Sequence, residues 1–192
     1  EVFKEIKAEK KNLIFMAGHI FNWEWYVGTA KIMKFENSVA VYHKIKNPFW
    51  SDKINAMRGK FGTVPMDMKD VLRHIMKVPN DGNHSFLFVA DQSPKQSAVH
   101  YFIDFLNQRT PVFNGFDKIA RKKNMGVIYA KTEKIKRGYY HTTFIRLEPK
   151  NEQFEENEIV HQFFGHLEKT IQEHPDNWLW SHKRWKYADL EK

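Results

Sequence analysis

Asn12-Leu13-Ile14-Phe15-Met16-Ala17-Gly18-His19-Ile20-Phe21-Asn22-Trp23-Glu24-Trp25 begins as an unbroken apolar run and changes character at Gly18-His19. Such a run predicts a strand over residues 12–18, buried on both faces. Asn22 is a candidate N-cap, and residues 22–34 predict a helix. A buried strand that ends in Gly-His and turns into a helix holds an imidazole near an acid, here Glu24. An unperturbed histidine titrates near about 6.5, so it can take a proton from a hydroxyl near neutral pH. Glu24 would fix its tautomer and stabilise the imidazolium, the supporting part of a triad without a nucleophile. Gly18 to Trp25 contains no serine or cysteine, which favours direct attack by a substrate hydroxyl on an activated acyl group. Spacing alone is weak: 10 His and 23 Asp plus Glu in 192 residues give roughly one such pair by chance. A surface histidine beside a helix-capping glutamate fits the same eight residues equally well.

Outward from this stretch, strands and helices alternate. The chain is expected to enter a strand almost at once. Residues 38–42 predict a short strand, and Asn47-Pro48 opens a helix to about Lys60, with Gly62 past its end. Residues 63–66 are a short strand. Asp67 caps a helix through about Lys77, on which Val71, Leu72, Ile75 and Met76 share a face. A turn at residues 80–83 leads into the apolar strand 85–90, which ends at Asp91-Gln92-Ser93-Pro94. Residues 101–116 read as a loop-rich aromatic segment and 116–123 as a helix. Residues 126–133 and 139–147 form an antiparallel pair, and 157–173 is an amphipathic helix. This alternation predicts an α/β fold with a layered sheet. No linker or internal repeat divides it, so residues 1–192 read as one domain.

Composition narrows the function. Aromatic residues make up 15% of the chain, which suits either a dense core or an apolar groove facing lipid. A net charge of +8 predicts an anionic partner: nucleic acid, anionic lipid or an acidic carrier protein. Nucleic acid is disfavoured, because no RNP-like, zinc-finger or helix-turn-helix pattern is present. There is no cysteine, hence no thiolate metal site and no cysteine nucleophile. The histidines are scattered; His161 and His166 do not share a helical face, so no metal is expected. Glycine-rich phosphate loops are absent. No run reaches the roughly 18 apolar residues of a membrane-spanning helix, and no signal peptide is visible.

Three further places bear chemistry. Asp91-Gln92 follows a core strand, and loops at the carboxyl ends of strands in open α/β sheets carry function. Asp91 and His19 can therefore share one crevice, although an ordinary turn fits as well. Arg58, on a helix, is either solvated or placed to bind phosphate. Asn114-Gly115 precedes a helix whose start can receive an anion. His182, Lys183 and Arg184 lie between tryptophans, either as an interfacial anchor or as a tail packed on the core.

In order, these blocks resemble the lipid A biosynthesis late (lauroyl/myristoyl) acyltransferases, within the lysophospholipid acyltransferase superfamily. Gly18-His19-Ile20-Phe21-Asn22-Trp23-Glu24 is similar to the family's GHFGNWE block, its HX4E motif. Tyr42-His43-Lys44, Asn47-Pro48 and Arg58-Gly59-Lys60-Phe61-Gly62 resemble its second block. Phe88-Val89-Ala90-Asp91-Gln92-Ser93 resembles its PDQ block, and Phe105 through Asn114-Gly115 its FFG-x-x-x-x-TPTG stretch. Trp180-Ser181-His182-Lys183-Arg184-Trp185-Lys186 resembles its WxHRRFK signature. The resemblance spans about residues 12–187. The chain departs from the pattern at Ile20-Phe21 (for Phe-Gly), His43 (for Arg), Ala90 (for Pro) and Asn107 (for Gly).

The resemblance implies a glycerol-3-phosphate acyltransferase-like fold: a central mixed, mostly parallel sheet flanked by helices, with an antiparallel strand pair in the C-terminal third. It implies His19 as general base and Glu24 as its partner. Asn22, Arg58, Asp91, Gln92, Asn114 and Gly115 are the expected substrate-binding residues. It implies no cofactor and no metal, a donor thioester on acyl carrier protein or CoA, and a lipid or glycolipid hydroxyl as acceptor. The expected place is the cytoplasmic face of the inner membrane, with a membrane-anchoring segment upstream of this chain. The alternative is a lipid-binding, membrane-associated module of the same fold without catalysis.

Overall fold

The computed structural model describes residues 1–190. A short helix, α1 (Val2–Ala8), precedes the first strand, where the sequence suggests an immediate strand. Its buried Ile6 packs against Gly126, where a Cβ would lie 2.6 Å from the Ile6 side chain. Strand β1 (Leu13–Ala17) is followed by a 3-10 helix, Trp23–Thr29, and by α2 (Ala30–Met33). Then come β2 (Asn37–Tyr42), α3 (Pro48–Gly59), β3 (Thr63–Asp67), α4 (Met68–Lys77) and β4 (His84–Val89). The hairpin β5 (Phe102–Phe105) and β6 (Gln108–Pro111) leads to α5 (Gly115–Lys123). The chain ends with β7 (Gly126–Lys136), β8 (Tyr139–Leu147), α6 (Glu158–Glu173) and an irregular tail.

The main sheet has six strands in the order β3-β2-β4-β1-β7-β8. All neighbours are parallel except β7 and β8, which pair antiparallel. The fold is therefore the expected α/β arrangement, a mixed and mostly parallel sheet between helices. β1 lies at its centre and is buried along its whole length. Ile14 and Met16 face a layer built by α4, α5, α6 and the β5–β6 hairpin. Leu13, Phe15 and Ala17 face α1 and the 3-10 helix. Period-2 alternation into two apolar layers is why β1 reads as a continuous apolar run.

Both connections around β1 skip a strand. β1 connects to β2 past β4, and β4 connects to β7 past β1. The winding reverses between β1 and β4, and a crevice opens beyond their carboxyl ends.

Three local expectations differ from the structure. Residues 22–34 form a 3-10 helix and one α-turn; Asn22 makes no side-chain cap. Trp, Tyr, Val, Thr and Gly28 are weak helix formers, and packing rather than propensity sets this segment. Residues 101–116 are not only loop: they contain β5 and β6, which turn at Leu106-Asn107, both at positive φ. Asn tolerates that conformation, which hides the hairpin from a search for glycine. On α4, Val71 and Ile75 are buried, but Met76 is exposed. By contrast α3 starts as its sequence predicts, with Asn47 Oδ1 accepting the Trp50 amide at 3.3 Å.

Candidate active site

His19 emerges from β1 and Asp91 from β4, side by side across the crevice. The Nδ1–H of His19 donates to Asp91 Oδ1, a very short contact. This contact assigns the tautomer of the neutral ring: a carboxylate only accepts, so Nδ1 carries the proton and, when the ring is neutral, the lone pair is on Nε2. Trp23 packs its ring edge-on to the imidazole at 4.7 Å. Gln92 Nε2 lies 3.2 Å from His19 Nε2.

Asp91 is held from several sides. Its Oδ2 accepts from the His19 amide at 3.2 Å, Trp178 Nε1 at 2.8 Å and Arg184 Nη2 at 3.1 Å. Arg184 Nε also donates to the Asp91 carbonyl at 2.5 Å. Burial pushes the Asp91 carboxyl up, but the His19 hydrogen bond, the His19 and Arg184 charges and the Trp178 indole outweigh it. The net shift is below the usual carboxylate range, so Asp91 stays ionised. Arg184 is itself buried at 1% exposure and lies 3.8 Å over the Trp178 ring. The C-terminal tail is thus a clamp on the site. It bridges Trp178 to Ile20, and the Leu179 amide donates to the His19 carbonyl at 3.1 Å.

Glu24 does not contact His19 through any hydrogen bond of the described residues. It pairs with Arg58 in a two-pronged contact, Nε to Oε2 at 2.8 Å and Nη2 to Oε1 at 2.5 Å. The Arg58 guanidinium also lies 5.4 Å from the centre of the Tyr42 ring. Its Nη1 is buried without a hydrogen-bond partner among the described residues.

One cavity of about 400 Å³ lies against this cluster. His19, Glu24, Arg58 and Gln92 line it, with Trp23 and Phe113 among its apolar walls. A larger cleft of about 560 Å³ lies at the opposite end of the strands. Its Arg121 and Arg146 are already paired with Asp117 and with Glu9 and Glu148. Of the sequence-predicted site residues, His19, Glu24, Arg58 and Gln92 lie at the first cavity.

Four of the expected substrate-binding residues fall outside the lining of the first cavity. Asn114 donates to Asn157 Oδ1 at 2.9 Å and ties the starts of α5 and α6 together. Gly115 makes room for a ring, since a Cβ there would lie 2.3 Å from Phe113. Asn22 is exposed and does not line the cavity, and Asp91 is buried at 1% exposure behind His19, so it contacts the imidazole rather than the cavity. The sequence alone gives no role to Trp178 or to Arg184 in holding Asp91 against His19. A clue was present: residues 179–188 hold Arg184 between aromatics with no acidic residue, so a buried arginine there must find its carboxylate elsewhere in the fold. No group of His, Asp or Glu with metal-holding geometry occurs among the described residues.

A model of the bacterial lipid A biosynthesis acyltransferase family matches residues 1–187. The chain belongs to that family. Comparison with curated proteins gives no match. Family membership carries a lipid acyltransferase role, and the cavity with His19 at its edge is where the chain concentrates groups suited to that chemistry.

Proposed function

We propose that this protein moves a fatty acyl chain from acyl carrier protein, or another acyl thioester, to a hydroxyl of a lipid A-like or other membrane lipid. The reaction belongs at the cytoplasmic face of the inner membrane, and residues 1–192 act as one acyltransferase domain. The observation that carries the reading is the His19 ring, held by Asp91 with its Nε2 lone pair beside a cavity in a lipid A acyltransferase family member.

His19 Nε2 takes the proton of the acceptor hydroxyl as its oxygen attacks the thioester carbonyl carbon. The tetrahedral intermediate collapses with cleavage of the C–S bond. The imidazolium returns the proton to the leaving thiolate, which gives an ester and a free thiol. Such base catalysis is worth about 10²–10⁴-fold. Asp91 keeps the tautomer fixed and stabilises the transient imidazolium. Gln92 and the acceptor hydroxyl meet the same lone pair, so Gln92 orients the hydroxyl or yields to it. Glu24 shapes the wall by holding Arg58, whose free Nη1 offers a donor to a phosphate or carbonyl oxygen of the substrate. Trp23 and Phe113 give the acyl chain apolar contact. Lys69 and Lys95 at the rim, with the chain's net charge of +8, suit an acidic carrier.

The test is His19→Ala assayed with acyl carrier protein thioester and lipid acceptor. Transfer is expected to fall to background while the unfolding temperature stays near wild type. Near-normal turnover would remove His19 as the base. Lipid mass spectrometry of cells with and without the gene would name the acceptor by its lost acyl mass.

A further inference from the structure

The surface around the cavity mouth leaves large aromatic side chains uncovered. Among the twelve residues of α3, only Ser51 is buried. Phe49 and Trp50 in its first turn are 60% and 57% exposed. Phe61, just past its end, packs near Gly28 of the 3-10 helix. Trp25 of that helix meets Tyr140 edge-on at 4.7 Å. Tyr139 beside it, at the turn between β7 and β8, is also exposed. A strip therefore runs from the β7–β8 turn across the 3-10 helix to α3. The cavity adjoins it, because Glu24 of the 3-10 helix and Arg58 of α3 both line that cavity.

Cations are interleaved with the rings. Lys31 lies over Phe61 at 5.2 Å, Lys53 over Phe49 at 5.7 Å and Lys136 over Tyr139 at 4.4 Å. Residues 134–140 contain no acid, and the acid nearest the mouth, Glu24, is neutralised by Arg58. Exposed Trp and Tyr alternating with lysine suit the headgroup layer of an anionic bilayer, where rings enter the apolar boundary and ammonium groups meet phosphates. No described helix is long and apolar enough to cross a membrane, so this face would act by lying on the surface.

We propose that this strip seats the protein on an anionic bilayer, with α3 and the β7–β8 turn as two contact points either side of the cavity mouth. The lipid acceptor then passes from the leaflet into the cavity without crossing water. The proposal rests on reading that cavity as the acyl-transfer site.

Flotation with vesicles of phosphatidylethanolamine and phosphatidylglycerol, against vesicles of phosphatidylcholine alone, tests it. The wild-type chain is expected to float with the anionic vesicles, less so at high salt, with a blue shift of tryptophan emission. Phe49→Glu/Trp50→Glu is expected to weaken binding by more than about tenfold. Met76→Glu, an exposed apolar position on the opposite layer, is expected to leave it unchanged. Trp50→Phe keeps the surface apolar and should keep binding while losing part of the blue shift, which guards against misfolding of the double variant. Equal loss in Met76→Glu, or no binding by wild type, overturns the proposal. So does a double variant that still binds vesicles but no longer retains acyl carrier protein, which would give the strip to the carrier. His19→Ala separates the two readings, because it should still float while transferring nothing. The double variant should still acylate a detergent-dispersed acceptor. Vesicle binding through the strip without transfer by the wild-type chain would leave the seating on the bilayer standing and remove both the reading of the cavity and the passage of the acceptor into it.

Discussion

Two carboxylate–arginine pairs flank the His19 site, one behind the imidazole and one in the cavity wall, and their surroundings give them different work. Asp91 and Arg184 are each 1% exposed, and the carboxylate accepts four hydrogen bonds, two of them from His19. Glu24 and Arg58 keep 26% and 15% of their side chains exposed and make one two-pronged contact with each other. A buried charge is costly unless paired and hydrogen-bonded, and four donors hold the Asp91 carboxylate rigid and aimed at one ring, although Arg184 Nη1 has no hydrogen-bond partner among the described residues. The second pair can exchange a partner for substrate at lower cost, since water and ligand both reach it. Spacing in sequence points to Glu24 as the residue that steers His19. In the fold that position belongs to Asp91, 72 residues later in the chain.

The largest test of this contrast is Asp91→Asn. The His19 amide, the Trp178 indole and the Arg184 guanidinium all donate to Oδ2. An amide at residue 91 would turn its oxygen toward those three donors and its NH2 toward His19 Nδ1. The imidazole proton would move to Nε2, and the base would be lost. Transfer is expected to fall by about 10³–10⁴-fold, the scale for neutralising the orienting carboxylate of a triad. Steady-state kinetics on the purified variant measure it. A loss below tenfold would return the orienting role to Glu24.

Arg184→Ala comes next and acts first on stability. It leaves Asp91 buried with its charge partly uncompensated and its carbonyl without the Nε donor. Breaking a buried pair by removing one partner costs about 3–5 kcal/mol. Arg184→Lys should recover only part, because an ammonium cannot make both contacts and also lie over Trp178. Urea titration reads the cost. A change under about 1 kcal/mol would mean that the tail packs on the site without holding it.

Glu24→Gln should do less. It removes the charge and one acceptor from Arg58 but leaves the His19–Asp91 contact intact. Loss of a charged hydrogen bond of about 1.5–3 kcal/mol corresponds to about ten- to a hundredfold in kcat/KM. The effect should fall mainly on KM if Arg58 holds substrate. If Glu24→Gln proves as damaging to kcat as Asp91→Asn, the two pairs share the base and the contrast fails.

What the sequence made legible follows from range. The β1 run, the caps at Asn47 and Asp67 and the alternation of strands and helices are local signals, and they located the sheet and its carboxyl edge. His19, Asp91 and Gln92 gather at that edge because the parallel strands β1 and β4 point their ends one way. The partner of each charge was not legible, because pairing is decided by which strands adjoin. β1 lies beside β4, so His19 meets Asp91; α3 lies against the 3-10 helix, so Arg58 meets Glu24. The tail clamp is harder still, since Trp178 and Arg184 close on the site from the far end of the chain. Asn114 and Gly115 marked a helix start, a feature shared by anion sites and ordinary packing corners, and here the corner is what forms.

The smallest expected effect is the most specific to the buried pair. The Asp91 carboxyl is held below its ordinary value in the folded protein, while the unfolded chain protonates it near about 4. The unfolded state therefore binds the proton first as pH falls. The stabilisation from Asp91 is complete above the unfolded value and drains away as pH drops through the folded one. Glu9, held down to about 2 mainly by its Arg146 hydrogen bond, drains over a similar window, so acid sensitivity alone cannot be assigned to either. The difference between wild type and Asp91→Asn can, because Glu9 is common to both. Urea midpoints from about pH 5 down to pH 3 should fall more steeply in wild type than in the variant. Parallel slopes across the whole range would mean that the hydrogen bonds to Asp91 do not favour its ionised form, and the fixed tautomer of His19 would lose its cause.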